Sequence, residues 1–192
     1  VPLSVKLEEL SELKFRLSHS GARMVVVSAG QVNKIQQIKK DLPDLEKVIL
    51  LDETAHYDHD QITLQNLLDK GKHYLAGQQA TFDAIWQAVE ESDTANICYT
   101  SGTTADPKGI MLTHRNYTAN VEQASSLLPI PEWYTSLLVL PWDHAFAHTA
   151  GIYTLMRNGA SMSSVQIGKT PLETLKNIPI NIKETKPTFL LS

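Results

Sequence analysis

The chain has 192 residues, 42% of them hydrophobic and 20% charged, with a formal net charge of -4; this balance fits one globular domain with a core of its own and excludes the basic footprint of a nucleic-acid binder. A single cysteine, Cys98, excludes an internal disulfide and a cysteine-based zinc site and suits a reducing cytoplasm. No apolar run reaches the roughly 18 residues of a membrane-spanning helix, and Val1-Pro2-Leu3 resembles neither a signal peptide nor a natural start, so the chain is read as beginning mid-protein.

Leu7, Leu10, Leu13 and Leu17 recur at helical spacing, and the pattern stops at His19-Ser20-Gly21, where glycine accepts a left-handed cap. Met24-Val25-Val26-Val27 follows as a short run, apolar at every position, as in a parallel strand covered on both faces. A helix over 34–40, a strand over 48–51, a polar connector over 57–60 and helical patterns over 64–68 and 82–89 come next. Ile97-Cys98-Tyr99 reads as a strand, followed by a polar loop, the short run Ile110-Met111-Leu112 and a helix from His114. The last predicted elements are a strand over 137–140, helices over 144–156 and 172–182, and a strand over 188–191. Strands alternating with helices require crossover connections, so the fold class is α/β, a mostly parallel sheet with helices on both faces. Repeats and a second domain boundary are not visible.

The loop between these two strands, Tyr99-Thr100-Ser101-Gly102-Thr103-Thr104-Ala105-Asp106-Pro107-Lys108-Gly109, concentrates hydroxyls, two glycines and a lysine directly after a strand. Small residues let backbone N–H groups converge on an anion, hydroxyls add donors, and an ammonium neutralises charge, a set that suits a nucleoside triphosphate. The plainer reading is a Ser/Thr-rich turn that caps its own backbone. It is not a Walker loop, because Pro107 stands where the second glycine belongs and Gly109 replaces the metal-binding hydroxyl.

The order Tyr-Thr-Ser-Gly-Thr-Thr followed by Pro-Lys-Gly resembles the signature of the AMP-binding, adenylate-forming superfamily of acyl- and aryl-CoA synthetases, peptide synthetases and luciferases. The continuation from Ile110 to Asn116 resembles the strand and helix start that follow the family's loop. Ala105 departs from the glycine usual there, a change costing about 1 kcal/mol if the position needs positive φ and little otherwise. Leu140-Pro141-Trp142-Asp143-His144 resembles the family's Leu-Pro-x-x-His segment, which lines the acyl pocket. Read alone, His144 is a hydrogen-bonded residue at a helix entrance. His144 and His148, four apart beside Asp143, also permit a metal reading, but the glutamate of a zinc-protease motif is missing; His56 and His59 read as a solvated loop, and no metal ligand is assigned. Gly151, Gly159 and Ala160 resemble the family's helix-to-strand passage and Lys186-Pro187-Thr188-Phe189 a later strand, with a flavour closest to long-chain fatty acyl-CoA synthetases.

The resemblance implies one partial N-terminal adenylation domain over 1–192, cut at both ends. It also implies an ATP-dependent ligase in which a carboxylate attacks the α-phosphate of Mg-ATP and CoA then takes the acyl group. ATP, Mg2+ and CoA are the implied cofactors and a fatty acid the implied substrate. Thr100, Ser101, Gly102, Thr103, Thr104 and Lys108 would hold the β- and γ-phosphates, with Lys108 also stabilising charge and His144 shaping the acyl side. The family's Tyr-Gly-x-Thr-Glu and Tyr-x-Thr-Gly-Asp segments, and its C-terminal lid with the catalytic lysine, do not occur in these 192 residues. The chain alone is therefore expected to bind nucleotide weakly and to have negligible ligase activity, the alternative being a non-catalytic nucleotide-binding or interaction module. An open sheet edge would favour self-association. The expected compartment is the cytoplasm, with membrane association of the parent enzyme as the variant.

Overall fold

The computed structural model describes residues 1–3, 9–52, 58–100, 107–140, 142 and 144–191. Contacts divide the chain into two compact units, chiefly Leu3–Glu90 with Tyr99–Gly109, and Glu91–Cys98 with Ile110–Ser192.

In the first unit, α1 (Leu10–His19) buries Leu13 and Leu17. It ends as the sequence predicts: Gly21 takes φ +63°, and the amides of Gly21 and Ala22 donate to the carbonyls of Ser18 and Leu17, the double closure for which a residue without a Cβ is favoured. β1 (Met24–Val27), β2 (Lys47–Leu50) and β3 (Gln61–Thr63) form a parallel sheet in that order, with Val25 beside Val48 and Ile49 beside Ile62. α1 and α2 (Ala29–Ile38) cover one face, where Leu13, Leu17, Ile35 and Ile38 pack with Val25, Val27, Val48 and Leu50.

α3 (Leu64–Gln87) lies against β2 and β3. Neighbouring strand residues point to opposite faces, and Ile49 and Ile62 line a groove of about 580 Å3 with Asn66, Leu67 and His73 of α3. Helices thus lie on both faces of this sheet. The predicted covering of the first strand is only half realised, however. Val25 and Val27 are buried, but Met24 and Val26 are 57% and 54% exposed, because α3 is placed over β2 and β3. The helical patterns over 64–68 and 82–89 belong to one 24-residue element, bent where Gln78 leaves helical geometry at φ -134° and ψ 27°.

β4 (Thr94–Tyr99) and β5 (Gly109–Thr113) pair as a two-stranded sheet. α4 (His114–Leu127) starts on a reciprocal cap: the Thr113 hydroxyl accepts from the Asn116 amide, and the Asn116 side chain accepts from the Thr113 amide. In the second unit β6 (Thr135–Leu138) is the central strand between β7 (Ser161–Ser164) and β8 (Phe189–Leu191), parallel to both. Ser136 and Leu137 are 0% exposed and Leu138 2%; since successive residues face opposite ways, both faces of β6 are covered. Val139 continues the pairing by donating to the Leu191 carbonyl at 3.1 Å.

The predicted helix over 144–156 is realised differently. A π-helical stretch, Ala147–Tyr153, runs into the short α5 (Thr154–Arg157). Gly151 permits the close packing: a Cβ there would stand 2.8 Å from Cδ2 of Leu138. α6 (Pro171–Thr185) opens with Thr170 accepting from the Glu173 amide and with Pro171 in the first turn, where its missing N–H costs nothing. Among the described residues no helix is long and apolar enough to cross a membrane.

Candidate functional site

In the first unit the base of the Ser/Thr-rich loop is closed by the backbone, the Thr100 amide donating to the Lys108 carbonyl at 3.1 Å. Both residues are exposed, so the Lys108 ammonium is open to solvent at the loop's exit. Ser101, Gly102, Thr103 and Thr104, with Ala105 and Asp106, lie outside the described residues.

The residue that leads into this loop is anchored to α1. The Tyr99 hydroxyl stands 2.8 Å from Nδ1 of His19 and 3.5 Å from the Arg16 carbonyl. Its ring meets Phe15 and His19 edge-on at 6.3 and 5.8 Å, with the Arg16 guanidinium 5.5 Å from its centre. Burial pushes the Tyr99 phenol above its ordinary value, against the opposing pull of the Ser20 hydrogen bond and the Arg16 charge. Arg16 is itself buried and paired with Glu12. The sequence puts Tyr99 in the motif, Arg16 within the leucine-spaced helix and His19 where that helical pattern stops. It does not join them, because partners some 80 residues apart leave no periodic trace.

In the second unit His144 is exposed and begins the turn that leads into the π-helical stretch. Its Nδ1 accepts from the Phe146 amide at 3.2 Å, and its carbonyl accepts from the Ala147 and His148 amides at 3.0 and 3.4 Å. The ring thus caps the first turn, as the reading from the residue alone expects. Pro141 and Asp143 lie outside the described residues.

His148 was considered in the sequence only as a metal candidate. In the structure its Nε2 lies 2.7 Å from the Trp142 carbonyl and its Nδ1 3.4 Å from Nδ2 of Asn96, which also donates to the Tyr117 hydroxyl at 3.0 Å. The Tyr117 ring packs edge-on to Tyr153 at 5.2 Å. Burial raises the Tyr117 phenol, opposed by the Asn96 hydrogen bond and reinforced by Cys98 and Tyr153. Among the described residues, no group of three or more His, Cys, Asp or Glu side chains could hold a metal ion. The one cue in the sequence for this cluster is the i, i+4 spacing of the histidines, which does not name Asn96 or Tyr117.

Parallel strands covered by helices define the chain as an α/β protein. The family described as AMP-binding enzyme matches residues 1–192, and this chain belongs to it. It is 30% identical over 172 residues to the long-chain-fatty-acid–CoA ligase ACSBG1 of Rattus norvegicus, a match covering 86% of this chain and 23% of that protein. It is 28% identical over 173 residues to the ligase ACSBG2 of Xenopus laevis, covering 88% and 22%. The chain therefore spans about a quarter of the length of these relatives. Its fold is shared with the anthranilate CoA ligase AuaEII bound to anthranoyl-AMP (TM-score 0.74, 20% identity, 97% of this chain and 34% of that one). It is shared too with a long-chain-fatty-acid-CoA ligase of Archaeoglobus fulgidus (TM-score 0.64, 21% identity, 96% and 33%).

Proposed function

We propose that this chain is part of an ATP-dependent ligase that activates a carboxylic acid, a fatty acid on the pattern of its relatives, as an acyl-adenylate and passes it to CoA. The observation that carries the reading is the motif from Tyr99 to Gly109 inside a chain that belongs to the AMP-binding enzymes. Residues 1–192 are then a partial N-terminal adenylation domain.

Thr100, Ser101, Gly102, Thr103, Thr104 and Lys108 bind the β- and γ-phosphates in this reading. Their work is orientation and charge neutralisation rather than covalent chemistry. ATP supplies the α-phosphate that the carboxylate attacks and the pyrophosphate that leaves. In support, Lys108 is exposed and Thr100 is held at the strand end by its backbone bond. Mg2+ enters with the triphosphate, since such ions are commonly held by one or two carboxylates plus substrate phosphates. His144 shapes the acyl side. The chain alone lacks the family's glutamate, aspartate and lysine segments, and turns over negligibly because many contacts that preorganise the transition state are missing.

The test is thermal unfolding of the chain across an ATP titration, native against Lys108→Ala. Ligand that binds only the folded state stabilises it by about 2.7 kcal/mol at a hundredfold excess over Kd. A rise in Tm that is lost in Lys108→Ala supports the reading. No rise at millimolar ATP, or an equal rise in the variant, overturns the phosphate role. Acyl-CoA formation by the purified 192 residues would overturn their inactivity.

A further inference from the structure

We propose that His148 is a positioning residue, which ties the Trp142 carbonyl, just before the turn that His144 begins, to strand β4 through its two ring nitrogens. The role rests on the reading that His144 shapes the acyl side, and it adds a residue to which the family resemblance assigns no part.

The protons of the cluster can be placed by elimination. A carbonyl oxygen only accepts, so the 2.7 Å contact with Trp142 puts a hydrogen on Nε2 of His148. In the neutral ring Nδ1 then carries a lone pair, facing the Asn96 amide nitrogen at 3.4 Å. That nitrogen has two hydrogens: one goes to the Tyr117 hydroxyl at 3.0 Å and the other to His148. The Trp142 carbonyl thus selects the tautomer of the neutral ring, and the lone pair on Nδ1 selects the amide orientation.

The backbone ties the same turn a second time, since the His148 amide donates to the His144 carbonyl at 3.4 Å. Upstream, among the described residues, the last sheet contact is the bond from Val139 to Leu191. Past that bond, the His148 ring joins the turn to β4 and α4. The π-helical stretch in which His148 lies is pinned by Gly151 against Leu138 and by the Thr154 hydroxyl donating to the Thr149 carbonyl at 2.7 Å. Such stretches recur where a side chain must be aimed. Trp142 and His144 are exposed, so water replaces the bond to Trp142 if the ring is removed, and the fold survives. What is lost is the fixed place of His144, and small displacements of a positioning group carry large kinetic penalties.

Three substitutions separate the two ends of the ring. His148→Gln keeps a donor where Nε2 sits, His148→Asn keeps a polar group only at the Nδ1 end, and His148→Leu keeps neither. In the full-length protein His148→Leu is expected to raise KM for the carboxylic acid about tenfold while KM for ATP stays within about twofold. His148→Gln is expected to restore the acid KM to within about threefold of native, and His148→Asn to leave it impaired. Exchange of the Phe146 amide, which reports the cap on His144, should quicken about tenfold in His148→Leu and remain native in His148→Gln.

Native acid KM and native Phe146 exchange in His148→Leu overturn the role, as does a loss in His148→Gln equal to that in His148→Leu. If the native full-length protein shows no acid-dependent turnover, the acyl-side reading falls. The exchange comparison then decides by itself whether His148 positions the turn.

Discussion

Tyr99→Phe removes one oxygen from the junction between α1 and the loop that follows β4. Besides the Ser20 hydroxyl, the phenol oxygen meets Nδ1 of His19 in a good contact at 2.8 Å and the Arg16 carbonyl in a long one at 3.5 Å. Of these two distances only the first is short enough to count fully, so the expected loss is about 1 kcal/mol, which in a chain of this size lowers Tm by about 2–4 °C. The ring remains, so the edge-on contacts with Phe15 and His19 and the guanidinium of Arg16 are kept. Tyr99→Ala removes these too, at about 0.5–1.5 kcal/mol for each aromatic pair and about 0.5–1 for the cation, and should cost about 3 kcal/mol in all. The assay is urea unfolding of the native chain, Tyr99→Phe, His19→Ala and the double variant, read as a cycle. A coupling of about 0.5–1.5 kcal/mol between Tyr99 and His19 is expected. Additivity within about 0.3 kcal/mol would show that the two side chains do not interact, and the anchoring of the loop's entry would fall with it.

Thr113→Ala removes the hydroxyl half of the cap on α4, leaving the residue-113 amide bonded to the Asn116 side chain, and should lower stability by about 1 kcal/mol in urea unfolding, with Thr113→Ser close to native. The raised phenols of Tyr99 and Tyr117 keep their protons to higher pH in the folded than in the unfolded chain. Their stabilisation is whole below the unfolded value of about 10 and is lost as pH climbs from there through the raised folded values. Midpoints measured between pH 9 and 11 should therefore fall, and fall less in Tyr117→Phe; an unchanged alkaline slope in that variant would refute the burial argument. Leu190 is exposed on the edge strand β8, and Phe82, Ile85 and Trp86 are exposed on α3, so sedimentation should reveal association that grows with concentration. A clean monomer throughout the series would count against it.

Regular periodicity and special backbone chemistry were legible in advance. The leucine spacing of α1, its stop at Gly21 and the β-branched run of β1 each depend on neighbours a few residues away, and each element formed where expected. β3 was missed for the same reason, and β7 was implied only by the resemblance of Gly151, Gly159 and Ala160 to a helix-to-strand passage. Gln61-Ile62-Thr63 is too short to show a period, and Ser161-Met162-Ser163-Ser164 is polar. β7 is a strand because β6 lies beside it, the Ser163 hydroxyl donating to the Ser136 carbonyl at 3.0 Å. The helix after His144 was foreseen, but not its π-helical winding, which accompanies the close approach of Gly151 to Leu138.

The sequence by itself determined the α/β alternation, the loop motif from Tyr99 to Gly109 and membership among the AMP-binding enzymes, because these are written in the local order of residue types. Tertiary structure alone decided that Tyr99 is tied to α1 and that His148 joins Trp142 to Asn96. A hydrogen bond between residues 52 or 80 positions apart is settled by the packing of whole elements, and no spacing in the chain encodes it.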